Sequence, residues 1–219
     1  MTAIKPLVAA MLLMAAAHTQ ANVQITEWMY SGPGDEFTEF TDLGSTSVSF
    51  IGWVYSDVAR AATVGAGGFG LSALGTVAPG QSVVLTKSTV ASFRANWGLT
   101  ASIKVVGGTT PNIGRSDEIN LFSASGTLFD RFTYSDVNFA GTVRTQDRSG
   151  TPSSLADLAS STVTTGWVLS AVGNAYGFYT ALGNVIGNHG VFALAVPEAA
   201  THALWLASPA DVGAIARRR

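Results

Sequence analysis

Cysteine is absent from all 219 residues. That excludes thiol catalysis and cysteine-built zinc sites, and it means that an oxidising compartment would add no crosslinks. A domain of this size buries enough surface to fold without them. Charge is also scarce: Asp, Glu, Lys and Arg make up 12% of the chain, about half the usual ~25%. Between residues 22 and 196, eight Lys and Arg stand against twelve Asp and Glu, a balance of −4 with no basic run. Such a domain is a poor partner for a nucleic-acid backbone. His189 is the only histidine in that stretch, and no Gly-x-Ser-x-Gly elbow precedes it. Nucleophilic hydrolysis therefore lacks its parts, and His189 reads as a surface-loop residue.

Gly, Ala, Ser and Thr are abundant, in a pattern of short β-biased runs divided by turn chemistry. Residues 23–30, 36–41 and 48–56 read as three strands, the first two separated by Ser31-Gly32-Pro33-Gly34. Residues 57–70 read as a Gly- and Ala-rich loop. The spelling Gly65-Ala66-Gly67-Gly68-Phe69-Gly70 resembles a dinucleotide fingerprint, but no parallel strand–helix context surrounds it. A Pro79-Gly80 turn launches a strand over 82–86. Residues 88–97 read as the one short helix, with Ser88 or Thr89 as N-cap, Val90, Phe93 and Trp97 at helical spacing, and Gly98 as the stop. Strands resume over 103–106, 118–123 and 128–134, the last two joined by Ala124-Ser125-Gly126. No internal duplication is present, so a single domain is expected.

The two ends differ from the middle. Residues 1–21 carry Lys5, an apolar run over 7–17 and a small residue, Ala21, at the expected scissile bond. The run is too short for the ~20 residues a spanning helix needs, and it fits a signal peptide cut by signal peptidase to leave Asn22 first. At the other end come Val196, Pro197 and Glu198, then a mixed apolar segment, then Arg217, Arg218 and Arg219. This arrangement resembles the PEP-CTERM sorting tails of exported Gram-negative proteins. The resemblance implies transient membrane association and an exosortase-type processing enzyme. Ala199 stands where that family has a second proline, and Pro209 and Asp211 interrupt the apolar segment. A helix-interior proline costs about 3 kcal/mol and a mid-bilayer carboxylate about as much again. The tail thus reads as a degenerate version of the signal. The expected organisation is a signal peptide over 1–21, a folded domain over 22–192 and a tail over 193–219.

The domain's own motifs resemble those of lamin tail domains. Ile25, Glu27 and Tyr30 match an Ile-x-Glu-x-x-Tyr strand, followed by Gly34, by Glu36, Phe37 and Glu39, and by Ile51, Gly52 and Trp53. Further on, Pro79 and Gly80 precede Val83, Val84 and Leu85, and then come Asp117, Ile119, Leu121, Gly126, Leu128, Phe129, Asp130 and Tyr134. The match is looser over 141–190. The resemblance implies an all-β, immunoglobulin-like sandwich with one short helix, here flanked by the signal peptide and the hydrophobic tail.

Strand parity puts Glu27 with Val23 and Ile25, and Glu39 with Phe37, so both carboxylates are expected to point inward. Buried carboxylates need donors or a cation. Three readings are open: acceptors of loop amides that pin the strand ends, a calcium site using Asp35, Glu36 or Asp57, and paired acid–base chemistry. The same parity puts Trp28 on the outer face with Tyr30, where it could stack on a partner, while Trp53 reads as a sheet-packing residue. The expected role is a non-catalytic structural or binding module of the cell envelope or extracellular matrix. It would be exported to the periplasm, outer surface or matrix of a Gram-negative bacterium, with a polysaccharide or protein as partner and no cofactor. The alternatives are a metal-assisted hydrolase built on the Glu27, Glu36 and Glu39 region, and an accessory polysaccharide- or nucleic-acid-binding module.

Overall fold

Fourteen short strands and one α-helix lie along the described part of the chain. They are β1 (Val23–Met29), β2 (Phe37–Asp42), β3 (Val48–Ser49), β4 (Val54–Ser56), β5 (Gly68–Gly70), β6 (Thr76–Val77), β7 (Ser82–Thr86), α1 (Val90–Trp97), β8 (Lys104–Gly107), β9 (Ser116–Phe122), β10 (Leu128–Ser135), β11 (Gly150–Pro152), β12 (Trp167–Leu169), β13 (Tyr179–Thr180) and β14 (Ile186–Gly187). This computed structural model describes residues 22–192 except 59, 61, 66, 110, 173–178 and 182. The leader with Ala21, and the tail with Val196, Pro197, Glu198 and the terminal arginines, lie outside the described residues.

A six-stranded sheet in the order β12-β11-β1-β2-β7-β8 faces a four-stranded sheet in the order β10-β9-β4-β5. All pairings are antiparallel except β7 with β8, whose parallel register is made possible by the crossover through α1. The fold is therefore mostly β and immunoglobulin-like, with a single α-helix among the described residues. Between the sheets lies an aromatic core, in which Trp28 meets Phe132 at 4.8 Å, Trp167 at 5.0 Å and Tyr134 at 5.2 Å between ring centroids. Trp53 packs into the same core against Phe50 and Phe129.

A second apolar layer covers the outer face of the larger sheet. Met29, Phe37 and Val84 project from β1, β2 and β7 to meet Phe93 and Trp97 of α1, together with Ala181 and Val185. The helix begins as its sequence predicts: the Thr89 side chain accepts from the Ser92 amide at 3.1 Å, and Gly98 ends it in the left-handed region. Phe93 and Trp97 are buried, while Val90 sits at the margin of exposure.

Four sequence expectations need correction. The 48–56 run is two strands, because Gly52 at φ 79° turns the chain between β3 and β4. The glycine-rich 57–70 stretch ends in β5, which pairs with β4. Gly68 is required there, because a Cβ would lie 2.4 Å from the Thr63 carbonyl oxygen. Trp28 is not on the outer face but in the core, fully buried. His189 is not a surface-loop residue: it is fully buried among Phe37, Phe93 and Trp97, with ring centroids at 4.1, 5.1 and 4.2 Å.

Candidate functional site: a buried carboxylate layer

The Trp28 correction has a local cause that also positions the carboxylates. β1 pairs Ile25 with Phe40 but Glu27 with Glu39, so Thr26 is an extra residue, a β-bulge. Beyond a bulge the alternation of faces is inverted. Val23 and Ile25 face the inter-sheet core as parity predicts, but the flip turns Trp28 inward and Glu27 outward. Glu27 therefore does not share a face with Val23 and Ile25. It lies beside Glu39 on the helix-covered side of the sheet, where Glu39 shares its face with Phe37.

Both carboxylates are 1% exposed. Glu27 Oε1 accepts the Asn188 amide at 2.7 Å and the Ser149 hydroxyl. Glu39 Oε2 accepts the Gly190 amide at 2.6 Å, and its Oε1 accepts the Thr26 hydroxyl at 3.1 Å. A hydroxyl chain continues the layer on both sides: Thr26 to Thr41 and Thr41 to Ser82, each at 2.7 Å, and Ser149 to Ser170, also at 2.7 Å. The residues that follow β14 are thus fastened to the first two strands through two side chains.

Electrostatics follow from that geometry. Burial pushes Glu27 well above the usual carboxylate range, and the neighbouring Glu39 adds to the rise, while Ser149 and Asn188 partly offset it. Burial raises Glu39 to about 7 against the pull of its Gly190 and Thr26 donors. Two adjacent carboxyls in a low-dielectric layer cannot both ionise cheaply, so at least one carries a proton at neutral pH. Burial among the aromatic rings alone lowers His189 to about 3, so this imidazole is neutral between them.

Glu36 is not part of this layer. It precedes β2 on the opposite side from Glu39 and lines a small void with Thr38 and Tyr55. Burial raises it to about 7 against the pull of Lys87, and Asp57 and Asp117 add to the rise. Asp57 is itself raised to about 6, first by burial and then by Asp117. The structure brings Glu27 and Glu39 together and sets Glu36 apart, so the three do not converge on one point. Among the described residues no three His, Asp or Glu side chains form a set able to hold a metal ion. Asp35 is occupied at the start of the helix, accepting from the Ser88 hydroxyl and, at 3.4 Å, from Asn96 Nδ2.

Sequence reading missed Ser149, Ser170, Asn188 and Gly190 as members of the carboxylate layer. Only the polar spacing around Gly187 and Gly190 hinted at a closing segment. A Cβ on Gly187 would sit 2.9 Å from His189 Nε2, so the glycine makes room for the imidazole.

This architecture, two facing sheets with an inward Trp28 and a carboxylate pair under a capping segment, places the chain in the class of immunoglobulin-like sandwiches. Residues 16–136 match the lamin tail domain family, and the chain belongs to it. The matched stretch covers β1 to β10 and α1, whereas β11, β12 and the closing segment that supplies Asn188 and Gly190 fall beyond it. No curated protein matches the chain.

Proposed function

We propose that this chain is an exported, non-catalytic binding or structural module of the cell envelope or extracellular matrix. One observation carries the non-catalytic reading. Glu27 and Glu39, paired across β1 and β2, are shut away from solvent at 1% exposure, and their oxygens accept main-chain amides. An acid–base pair must reach a substrate proton, and this one faces Asn188 and Gly190 instead. Its role on this reading is to hold the closing segment against β1 and β2. The hydrolase alternative loses its third carboxylate, since Glu36 lies on the other side of the strand.

Export rests on the leader over residues 1–21 and on the tail that begins at Val196. No helix among the described residues is long and apolar enough to cross a membrane. Fractionation of cells making the full-length chain, with N-terminal sequencing of the product, tests the proposal. The expected product lies outside the inner membrane and starts at Asn22. A product that stays in the cytoplasm with Met1 attached sinks it.

A further inference from the structure

Three side chains of different chemistry, a carboxyl, an amine and a carboxamide, converge at the end of the sandwich where β2 begins and β7 finishes. Phe37 pairs with Thr86 in the β2–β7 ladder, so Glu36 and Lys87 stand opposite each other one step beyond it, and the Lys87 amide donates to the Glu36 carbonyl at 3.4 Å. Val83 and Leu85 face the inter-sheet core, and alternation puts Lys87 on that same side. Its side-chain nitrogen reaches the loop before β9 and donates to Asn112 Oδ1. The Glu36 carboxyl interacts with Lys87 and with the amide of Ile113, the residue that follows Asn112.

The surroundings are apolar on one side and open on the other. Glu36 is 9% exposed, and it shares with Lys87 a small void lined by Phe37, Leu85 and Ile113. Glu36, Lys87 and Asn112 together line a cleft of about 410 Å³ beside that void. Lys87 and Asn112 are exposed there, so a small leaving group can escape to solvent. Burial raises Glu36 to about 7, against the pull of Lys87 and the Ile113 amide. Near neutrality its acid and base forms are both populated, as a group that takes up a proton and returns it requires.

We infer that Lys87 and Asn112 become joined by an intramolecular isopeptide bond, with Glu36 as the proton carrier. Glu36 takes a proton from Lys87 Nζ, whose lone pair then attacks Asn112 Cγ and forms the new bond. The Cγ–Nδ2 bond breaks, and its electron pair leaves with the nitrogen. That nitrogen receives the two protons that Nζ gives up and departs as ammonium, while Glu36 ends as it began. Nothing is oxidised or reduced, so the step needs no co-reactant and no particular compartment, and it stands apart from the proposed exported role. A free amide resists attack by an amine, but fixing the two groups together is worth roughly 10⁵–10⁸ M in effective concentration. In a chain without cysteine, the bond closes residues 87–112 into a covalent loop that contains α1 and β8.

Mass spectrometry of the full-length chain, purified and held at neutral pH, tests it. The wild type should lose the mass of one ammonia. Its tryptic map should show residues 61–94 joined to residues 105–115, with no cut after Lys87. Lys87→Arg and Asn112→Ala should each keep their full mass and give separate peptides. Glu36→Gln should slow the appearance of the joined peptide by ~100-fold or more. A melting curve verifies that each variant is folded, and the wild-type map decides whether the bond exists without any variant. A wild-type chain cut after Lys87 with residues 105–115 free overturns the inference, leaving an ordinary hydrogen bond. Ammonia lost from residue 112 without a join to residue 87 overturns it too, as an internal imide. A joined peptide that forms in folded Glu36→Gln at the wild-type rate overturns the role of Glu36.

Discussion

Thr26 is the residue on which the carboxylate layer turns, because its insertion into β1 decides which side chains of that strand meet the core. Glu27→Ala would leave the Asn188 amide and the Ser149 hydroxyl without their buried acceptor, at a cost of roughly 1–3 kcal/mol. Glu27→Gln keeps an acceptor and removes the charge conflict with Glu39, so it should unfold at or above the wild-type midpoint at pH 8. Urea titrations of the three proteins compare the effects. The pH dependence has a definite sign. Glu27 and Glu39 are raised in the folded state, so the unfolded chain releases their protons first, and stability falls as pH rises above the ordinary Glu range, through about 7 for Glu39. Glu36 and Asp57, raised to about 7 and about 6, add slope of the same sign. His189, lowered to about 3, acts oppositely: its contribution is lost as pH falls from the ordinary His value towards 3. Above pH 6.5 the carboxyls act alone, so the melting midpoint should drop between pH 6.5 and 8. The Glu27→Gln, Glu39→Gln double variant should flatten that drop, and an unchanged slope would mean that other groups set it.

At the scale of elements, α1 and β11 can each be probed by a single substitution. Thr89→Ala removes the side-chain cap of α1 and should cost about 1 kcal/mol. At Gly150 in β11 a Cβ would come 2.7 Å from both the Trp28 ring and Thr145 Cγ2. Gly150→Ala should therefore destabilise by about 1–3 kcal/mol, as overpacking of a tight core does, and chemical denaturation of the two variants ranks them. The same elements show what can be read from sequence. The helix is legible from Thr89, Phe93, Trp97 and Gly98, because capping and spacing are local signals. β9 and β10 are legible too, through the Ser125-Gly126 turn between them. β1 is legible as a strand but not in its facing beyond Ile25, because a bulge leaves no local mark when the inserted residue is as ordinary in strands as Thr26. β5 hides in glycines that resemble a loop, and β11 and β12 are three residues each, with Gly150 and Pro152 where strand formers are expected. The buried pairing of Glu27 with Glu39 was half legible: inward carboxylates follow from parity for Glu39, but their donors at 188 and 190 are set by tertiary structure alone.

For the whole molecule, the proposed address and the fold can be tested separately. The proposed terminal signals flank a folded unit in which Asn188 and Gly190, near its far end, contribute main-chain donors to its first strands. If the tail acts as a sorting signal, replacing Arg217, Arg218 and Arg219 by Ser should mislocalise the precursor by removing its cytoplasmic charge anchor. Pro209→Leu with Asp211→Leu should increase its retention in the membrane fraction. Fractionation and the mass of the exported species report both, and identical export of every variant with residue 219 still attached would show the tail to be inert.

The clasp between the two ends of the domain also sets an order in time. The amides that satisfy Glu27 and Glu39 lie 161 and 151 residues further along the chain, among the most distant contacts a domain of this length can make. Such closures come late, since the entropy of the intervening loop opposes them until other contacts have formed. A growing chain halted before residue 188 holds two neighbouring carboxyls under an incomplete cover, a state with little reason to persist. The domain thus commits to its final structure only once the chain through Gly190 is present. A chain ended at residue 185 should accordingly lack the cooperative unfolding transition that the full-length protein shows.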